Sequence, residues 1–181
     1  MKSVEPIREK KQIAKIKLIL RKSGMRNLLL FTFGINCGLR ISDILNLRVC
    51  DVFNVDYIEI KEKKTDKYKR FPITEAYKRL ILEYTKNLQY TDWLFKSRKG
   101  KFAITRIQAY RIINQACRKA GIKDKIGTHT LRKTFGYHFY KKTKDIALLQ
   151  TIFNHSSPTI TLRYIGINQD MIDSNLMAFS L

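Results

Sequence analysis

Apolar residues recur at helical spacing along most of the chain, and this pattern predicts a largely helical protein. Residues 7–22 scatter isoleucine and leucine among lysine and arginine, which is typical of an amphipathic, basic helix. Residues 25–36 carry a denser apolar run and predict a second, more buried helix. Ser42 is predicted to cap a short helix, and Thr74 to cap the next one. Later helices are predicted over residues 75–87, 105–120, 130–142, 145–153 and 158–164, with a last one near 168–179.

Alternation of apolar and polar residues marks a different region in the first half of the chain. Residues 57–61 alternate, and residues 70–73 follow a charged stretch, which predicts a β-hairpin with its tip near residues 65–67. Residues 93–95 form a short apolar piece that predicts a third strand. We therefore expect a mainly α fold with a small three-stranded antiparallel β-sheet. No repeat or linker divides the chain, so residues 1–181 are expected to form a single domain.

The charge of the chain is strongly unbalanced. Its 36 lysines and arginines against 15 acidic residues give a formal net charge of +21 and a pI near 10.1. A globular protein this basic is expected to face a polyanion, and nucleic acid is the first candidate. Ribosomal proteins and proteins that bind membrane surfaces share this property, so charge alone does not choose among them.

The cysteine and apolar patterns exclude several classes of protein. Cys37, Cys50 and Cys117 are widely spaced and form no CxxC pair, which argues against a structural zinc site and against a disulfide framework. Reduced thiols in the cytosol are the simpler interpretation. No apolar run approaches the roughly 18 residues of a membrane span, and no signal peptide is evident. We expect a cytoplasmic protein.

Three short motifs hold residue types suited to phosphodiester chemistry. They read GLRISDILNL over residues 38–47, HTLRKT over residues 129–134 and IFNHSSPTITLRY over residues 152–164. Two arginines can grip a phosphate bidentately, two imidazoles can donate hydrogen bonds or move protons, and a phenol can act as nucleophile. The residues that supply these groups are Arg40, His129, Arg132, His155 and Tyr164. Such a set needs neither a metal ion nor another cofactor.

Each motif by itself also has a simpler interpretation. An isolated HxxR is more often a capping histidine with a solvent-facing arginine, and a single tyrosine is usually structural. Metal binding by His129, His138 and His155 is a competing interpretation, but these histidines lack carboxylate or cysteine companions at ligand spacing. The order and separation of all three motifs favour the phosphodiester interpretation.

In this order the motifs resemble those of the tyrosine recombinases, also called phage-type integrases. The family's boxes read roughly G-L-R-x-S-E-L-x-x-L, H-x-L-R-H-[ST] and L-G-H-[ST]-x-x-x-T-x-x-Y. The resemblance implies the catalytic-domain fold of that family and site-specific cutting and rejoining of DNA through a 3′-phosphotyrosyl intermediate. It further implies that Tyr164 attacks, that His129 handles protons, and that Arg40, Arg132 and His155 stabilise the pentacovalent phosphorane.

The resemblance also implies a lysine on the hairpin that protonates the departing 5′ oxygen. The family pattern K-[TG]-x-K-x-R-x-x-P aligns best on Lys64, with Thr65, Lys67 and Pro72 in place. Lys63 and Lys67 are the alternatives. A mobile lysine suits this work because contact with a phosphate can tune its proton affinity.

The chain departs from the family pattern at three places. Asp43 stands at the usual glutamate position, where the carboxylate supports the first catalytic arginine. Lys133 replaces the histidine that most often follows the second arginine, at a supporting position. Phe153 and Asn154 replace the usual Leu-Gly before His155, and asparagine can replace that glycine because it tolerates a left-handed backbone.

The resemblance covers the catalytic part of typical members, which also carry an N-terminal helical domain that clamps the DNA. We expect the chain to be the catalytic domain without a separate core-binding domain. Double-stranded DNA is the expected partner, and the tail after Tyr164 is expected either to dock on a neighbouring protomer or to pack on its own domain. Two other functions stay open: activity like that of a type IB topoisomerase, and a DNA-binding accessory module or degenerate integrase without efficient cleavage.

Overall fold

The computed structural model describes residues 4–61, 68–167 and 176–179. Within these ranges the chain folds into eight α-helices, one 3-10 turn and one β-hairpin. In chain order they are α1 (Lys10–Ser23), α2 (Met25–Gly34), α3 (Ile41–Leu45), the 3-10 turn (Val49–Asp51), β1 (Tyr57–Lys61), β2 (Tyr68–Pro72), α4 (Glu75–Thr85), α5 (Arg106–Lys119), α6 (Thr128–Thr143), α7 (Ile146–Phe153) and α8 (Pro158–Tyr164). No helix in the described ranges is long and apolar enough to cross a lipid bilayer.

The predicted helices are confirmed, with shifts of a few residues at their ends. Thr74 occupies the N-cap position of α4, as predicted. The prediction for Ser42 is wrong, because α3 already begins at Ile41 and the extended Arg40 occupies the N-cap position. The helix predicted near residues 168–179 falls mostly outside the described residues, of which Leu176 and Met177 are helical.

The β-sheet is smaller than predicted. β1 and β2 pair antiparallel, with Tyr57 opposite Pro72 and Lys61 opposite Tyr68, and the predicted tip lies outside the described residues. Within the described ranges the sheet has only these two strands. Instead of a third strand, Trp93 and Lys96 form isolated bridges with Arg48 and Ala103. The backbone between them bonds to two separate loops: the Leu94 amide donates to the Leu47 carbonyl, and the Phe95 carbonyl accepts from Ile104.

Two groups of buried apolar side chains hold the fold together. The main core joins α1–α5 and the first turns of α6, and includes the fully buried Phe31 and Phe95. A smaller group, here called the C-terminal cluster, comprises Tyr137, Leu149, Phe153, Ile165 and Ile167. Helix α6 belongs to both, since Leu131 lies in the main core and Tyr137 in the C-terminal cluster. Its N-terminal half therefore lies at the boundary between the two groups.

Residues 4–9, here called the N-terminal strap, run across α6 before α1 begins. The Ile7 amide donates to Thr134 Oγ1 at 2.9 Å, and the Glu5 amide donates to the Lys125 carbonyl at 2.9 Å. The Arg8 guanidinium reaches the Gly166 carbonyl at 3.5 Å, two residues after α8 ends. The strap thereby ties α6 to the chain that follows α8.

Candidate active site

Helix α6 presents His129 and Arg132 from its beginning. The extended Gly127 precedes the helix, and its amide donates to the Thr130 hydroxyl at 3.1 Å, which fixes the first turn. His129 lies in that turn and is exposed, whereas Arg132 follows one residue beyond the turn and is only 3% exposed. The two side chains lie three residues apart and therefore share one face of the helix.

Arg132 joins three parts of the chain. Its guanidinium donates to the Gly38 carbonyl and, at 2.8 Å, to the Phe153 carbonyl at the end of α7. It also lies over the Phe153 ring at 4.3 Å from the centroid. Gly38 has a φ of 63°, and a Cβ atom there would lie 2.6 Å from the Phe135 ring, so only glycine allows this close approach to α6. The loop that leads to Arg40 is thus packed directly against α6.

The turn after α7 positions His155. Asn154 ends the helix in the left-handed conformation with a φ of 53°, which confirms the role predicted for an asparagine in place of glycine. His155 Nδ1 lies 3.1 Å from Thr161 Oγ1, and that hydroxyl lies 3.1 Å from the Ser157 carbonyl. Because a hydroxyl has one proton, which it donates to Ser157, Thr161 accepts from Nδ1–H of His155. The Nε2 atom of the neutral ring is then left as an acceptor.

The environment of His155 also sets its charge. Burial, reinforced by Arg132, Arg40 and Lys69, lowers the pKa of His155 to about 4. The imidazole is therefore neutral in the free protein at pH 7. An incoming phosphate anion would reduce the effect of these cations and so raise the pKa of the ring.

Tyr164 is the last residue of α8 and meets both histidines. Its hydroxyl lies 3.3 Å from His129 Nδ1, and its ring packs edge-on against His155 with centroids 5.0 Å apart. Burial raises the pKa of the Tyr164 phenol, while Arg132 and Arg40 oppose that rise. Burial and nearby cations lower the pKa of His129, so its ring is suited to accept a proton at neutral pH.

The structure therefore brings five of the six candidate residues together. Arg40, His129, Arg132, His155 and Tyr164 come from the loop before α3, from α6, and from the α7–α8 region. Lys64 lies outside the described residues, as do its alternatives Lys63 and Lys67. His138 takes no part in the group, because its Nε2 lies 2.9 Å from the Ile7 carbonyl in the strap. Asp43 is 5% exposed on α3, one turn after Arg40.

Two lysines near this group were not singled out as functional by the sequence. The Lys69 ammonium on β2 donates to the Ile152 carbonyl in α7, and its charge helps to lower the pKa of His155. The Lys133 ammonium lies over the Tyr164 ring at 5.2 Å from its centroid, and the residue is only 6% exposed. The sequence held a signal for each lysine. Alternation along β2 places Lys69 on the opposite face from the exposed side chains of Tyr68 and Arg70, and Lys133 stands where the family motif usually has histidine.

Chemically, the arrangement can bind an anion, and it places a phenol, a potential nucleophile, beside the anion-binding groups. Two guanidinium groups, a neutral imidazole and a lysine surround the phenol of a tyrosine, and a second imidazole touches the phenolic oxygen. Preorganised donors of this kind stabilise charge that develops on phosphate oxygens.

The sequence and the fold are similar to those of several known proteins. The sequence model described as the phage integrase family matches residues 8–171. The chain is 53% identical over 170 residues to the probable integrase/recombinase YoeC of Bacillus subtilis (strain 168), covering 94% of this chain and 93% of YoeC. A crystal structure of XerA recombinase superimposes with a TM-score of 0.76 at 23% identity, covering 98% of this chain and 65% of that one. A crystal structure of XerH site-specific recombinase bound to palindromic difH substrate, a post-cleavage complex, superimposes with a TM-score of 0.74 at 23% identity. The match covers 96% of this chain and 53% of that one.

Proposed function

The chain belongs to the phage integrase family, whose tyrosine recombinases break and rejoin DNA, and we propose that it is a site-specific recombinase that works through a 3′-phosphotyrosyl intermediate. The observation that carries this proposal is the contact between the Tyr164 hydroxyl and His129 Nδ1 at 3.3 Å, beside two arginines and His155. A partly buried phenol beside a neutral imidazole and guanidinium groups has what nucleophilic attack on a phosphodiester requires.

The proposed first step is attack of Tyr164 on the scissile phosphate. The phenolic oxygen forms a bond to phosphorus while its proton passes to His129, whose lowered pKa leaves the ring free to accept it. The bond to the 5′ oxygen breaks, and that oxygen takes a proton from Lys64. The phosphotyrosyl ester keeps the energy of the phosphodiester, so a 5′ hydroxyl of a partner strand can reverse the reaction without ATP.

Arg40, Arg132 and His155 are proposed to stabilise the phosphorane. The arginines supply fixed positive charge, since guanidinium groups stay protonated at all relevant pH. His155 has Nε2 directed away from the Thr161 contact, and this atom can donate to phosphate only after gaining a proton. We expect binding of the DNA anion to raise the pKa of His155 from about 4 and so promote that proton uptake.

Covalent capture tests the nucleophile. The protein is incubated with nicked suicide duplexes bearing candidate sites, in EDTA, and adducts are resolved on denaturing gels. We expect a 3′-linked adduct with the wild-type protein and none with Tyr164→Phe, while Tyr90→Phe, a change of an exposed tyrosine in the loop after α4, leaves the yield unaltered. An adduct that survives Tyr164→Phe would assign the nucleophile to another residue. If the wild type forms none on any site, the accessory-module function would replace this one.

A test of Lys64 as the residue that protonates the departing 5′ oxygen needs a second DNA substrate. Lys64→Ala should slow cleavage of ordinary DNA but not of DNA with a 5′-bridging phosphorothiolate, because sulfur leaves without a proton. Lys63→Ala and Lys67→Ala, tested in parallel, should lack this substrate-dependent rescue. Equal defects of Lys64→Ala on both substrates would instead make Lys64 a phosphate anchor.

We further propose that residues 1–181 form one catalytic domain, acting on double-stranded DNA in the cytoplasm as part of a multimer. The exposed apolar residues Leu176, Met177 and Phe179 support docking of the tail on a neighbouring protomer. Removal of residues 176–181 should then reduce paired-site complexes on native gels while single-site binding persists. Relaxation of supercoiled plasmid without a recombination site would favour the topoisomerase-like alternative.

A further inference from the structure

Lys133 is buried against the ring of Tyr164, the proposed nucleophile. It lies on α6, is 6% exposed, and holds its ammonium 5.2 Å from the centroid of the Tyr164 ring. Burial lowers the pKa of Lys133, an effect that the Glu5 carboxylate opposes and Arg8 reinforces. An ammonium is removed from water at such a position only where other groups compensate for the lost hydration.

We propose that Lys133 is a positioning residue for the nucleophile, whose ammonium holds the face of the Tyr164 ring in place and favours the phenolate that forms during attack. This inference rests on the function proposed above. It assigns a role to the lysine that replaces the histidine usually found after the second arginine of the family motif.

The direction of the effect follows from the electrostatics of an aromatic ring. A cation over the face of a tyrosine is attracted by the negative face of the ring. Loss of the phenolic proton spreads negative charge into the ring, so that attraction increases and the phenolate gains more than the phenol. Arg132 and Arg40 act on the hydroxyl, and His155 packs edge-on at 5.0 Å, so Lys133 acts on a part of Tyr164 that these groups do not occupy.

The N-terminal strap encloses this lysine from the other side. Glu5 and Arg8 form an ion pair at 2.9 Å, and both influence the charge of Lys133. Arg8 also reaches the Gly166 carbonyl at 3.5 Å, just beyond Tyr164. The charged groups that face the Lys133–Tyr164 pair are therefore Glu5 and Arg8 from the strap and Arg40 and Arg132 from the phosphate side. Two further titratable groups, the His129 and His155 rings, contact Tyr164, and the charge of Lys133 also lowers the pKa of His129.

A matched control exists on the same helix. The Lys141 ammonium lies over the Tyr137 ring at 6.0 Å, so Lys141→Met removes an equivalent lysine–tyrosine contact away from the candidate active site. Lys133→Met removes the charge under Tyr164 while keeping an unbranched apolar side chain. Lys133→His restores the residue usual in the family, and its ring is neutral above about pH 7. Lys133→Arg keeps the positive charge.

The first experiment reads Tyr164 in the free protein, without DNA. A 2,3-difluorotyrosine placed at position 164 has a more acidic phenol, and its 19F resonance reports the titration. We expect Lys133→Met and Lys133→His to raise the phenol pKa by about half a unit to one unit. Lys133→Arg and Lys141→Met should leave it unchanged. Because Lys133→His keeps a family-typical residue, it provides the test if Lys133→Met does not fold. Equal titration in Lys133→His and wild type would overturn the proposal.

The second experiment measures single-turnover adduct formation at saturating DNA. Lys133→Met should slow the reaction several-fold at pH 7 and less at pH 9, and difluorotyrosine at position 164 should recover most of the loss. A defect of equal size at both pH values, without recovery, would make Lys133 a packing residue only. Failure of the wild type to form an adduct would count against the proposed function, whereas the 19F titration would still decide the role of Lys133.

Discussion

The main core and the C-terminal cluster support different halves of the candidate active site. The main core packs α2, α3 and the first turns of α6 together, and so supports the loop of Arg40 and the backbone of Arg132. The C-terminal cluster has five buried residues and supports His155 and Tyr164. The two arginines proposed to bind phosphate therefore rest on the larger group, and the proposed nucleophile Tyr164 rests on the smaller one. Since fewer buried contacts mean a lower free energy of local opening, we expect α7 and α8 to open before α2 and α5 do.

The largest effect on stability is expected when one large side chain is removed from each apolar group. Phe153 is fully buried and contacts the rings of Tyr164 at 5.5 Å and His155 at 5.3 Å, whereas Phe95 is fully buried in the main core. Each change to alanine should cost about 3–5 kcal/mol locally. In Phe153→Ala, hydrogen exchange should show that only the backbone amides of α7 and α8 lose protection, and adduct formation should also be lost. In Phe95→Ala, backbone amides should lose protection throughout the described structure.

Uniform loss of protection in Phe153→Ala would contradict the separation of the two groups. It would show that the C-terminal cluster and the main core unfold as one cooperative unit, and that α7 and α8 do not open separately.

Changing one glycine in each apolar group to alanine compares the two groups with a smaller change in side-chain volume. A Cβ at Gly34 would lie 2.3 Å from Leu131 in the main core, and a Cβ at Gly136 would lie 2.6 Å from Ile165 and 2.7 Å from Phe153 in the C-terminal cluster. Overpacking should cost about 1–3 kcal/mol at either site. Gly34→Ala should lower the global melting temperature, measured by calorimetry. Gly136→Ala should lower it less but reduce the adduct rate more, and the opposite ranking would reject the assignment of the two groups.

The smallest effect is expected from pH, because His155 is partly exposed and solvent screens its charge. His155 has a pKa of about 4 in the folded protein against about 6.5 when unfolded, so below pH 6.5 the unfolded chain binds a proton that the folded chain does not. The free energy of unfolding should therefore fall as pH falls from about 6.5 to about 4. His155→Gln should flatten this part of the profile in denaturant titrations, and added inorganic phosphate should weaken it in the wild type. An equal slope in His155→Gln would assign the pH dependence to other groups.

The elements and the site were predicted unequally well from the sequence. The helices from α1 to α8 follow from apolar periodicity, and the left-handed Asn154 follows from its position before His155. The cap predicted at Ser42 was wrong because capping propensity favours serine, whereas the helix starts one residue earlier, at Ile41, after a loop that is held against α6 by the bond from Arg132 to the Gly38 carbonyl. The prediction of a third strand was wrong because Leu94 and Phe95 are buried while their backbone bonds to loops. A short apolar run predicts burial, but it does not show whether the neighbouring segments are strands or loops.

What the sequence determined by itself is the set of candidate residues, their order and the helices that carry them. Arg40, His129, Arg132, His155 and Tyr164 were identified from three motifs that resemble those of the tyrosine recombinases. Tertiary structure alone decided that Thr161 directs the proton of His155, that Lys69 reaches Ile152, and that Lys133 lies behind Tyr164. The last two contacts join segments 83 and 31 residues apart (152 − 69 and 164 − 133). Such contacts depend on how α6, α7 and the hairpin pack around two apolar groups, and no periodicity along the chain encodes that packing.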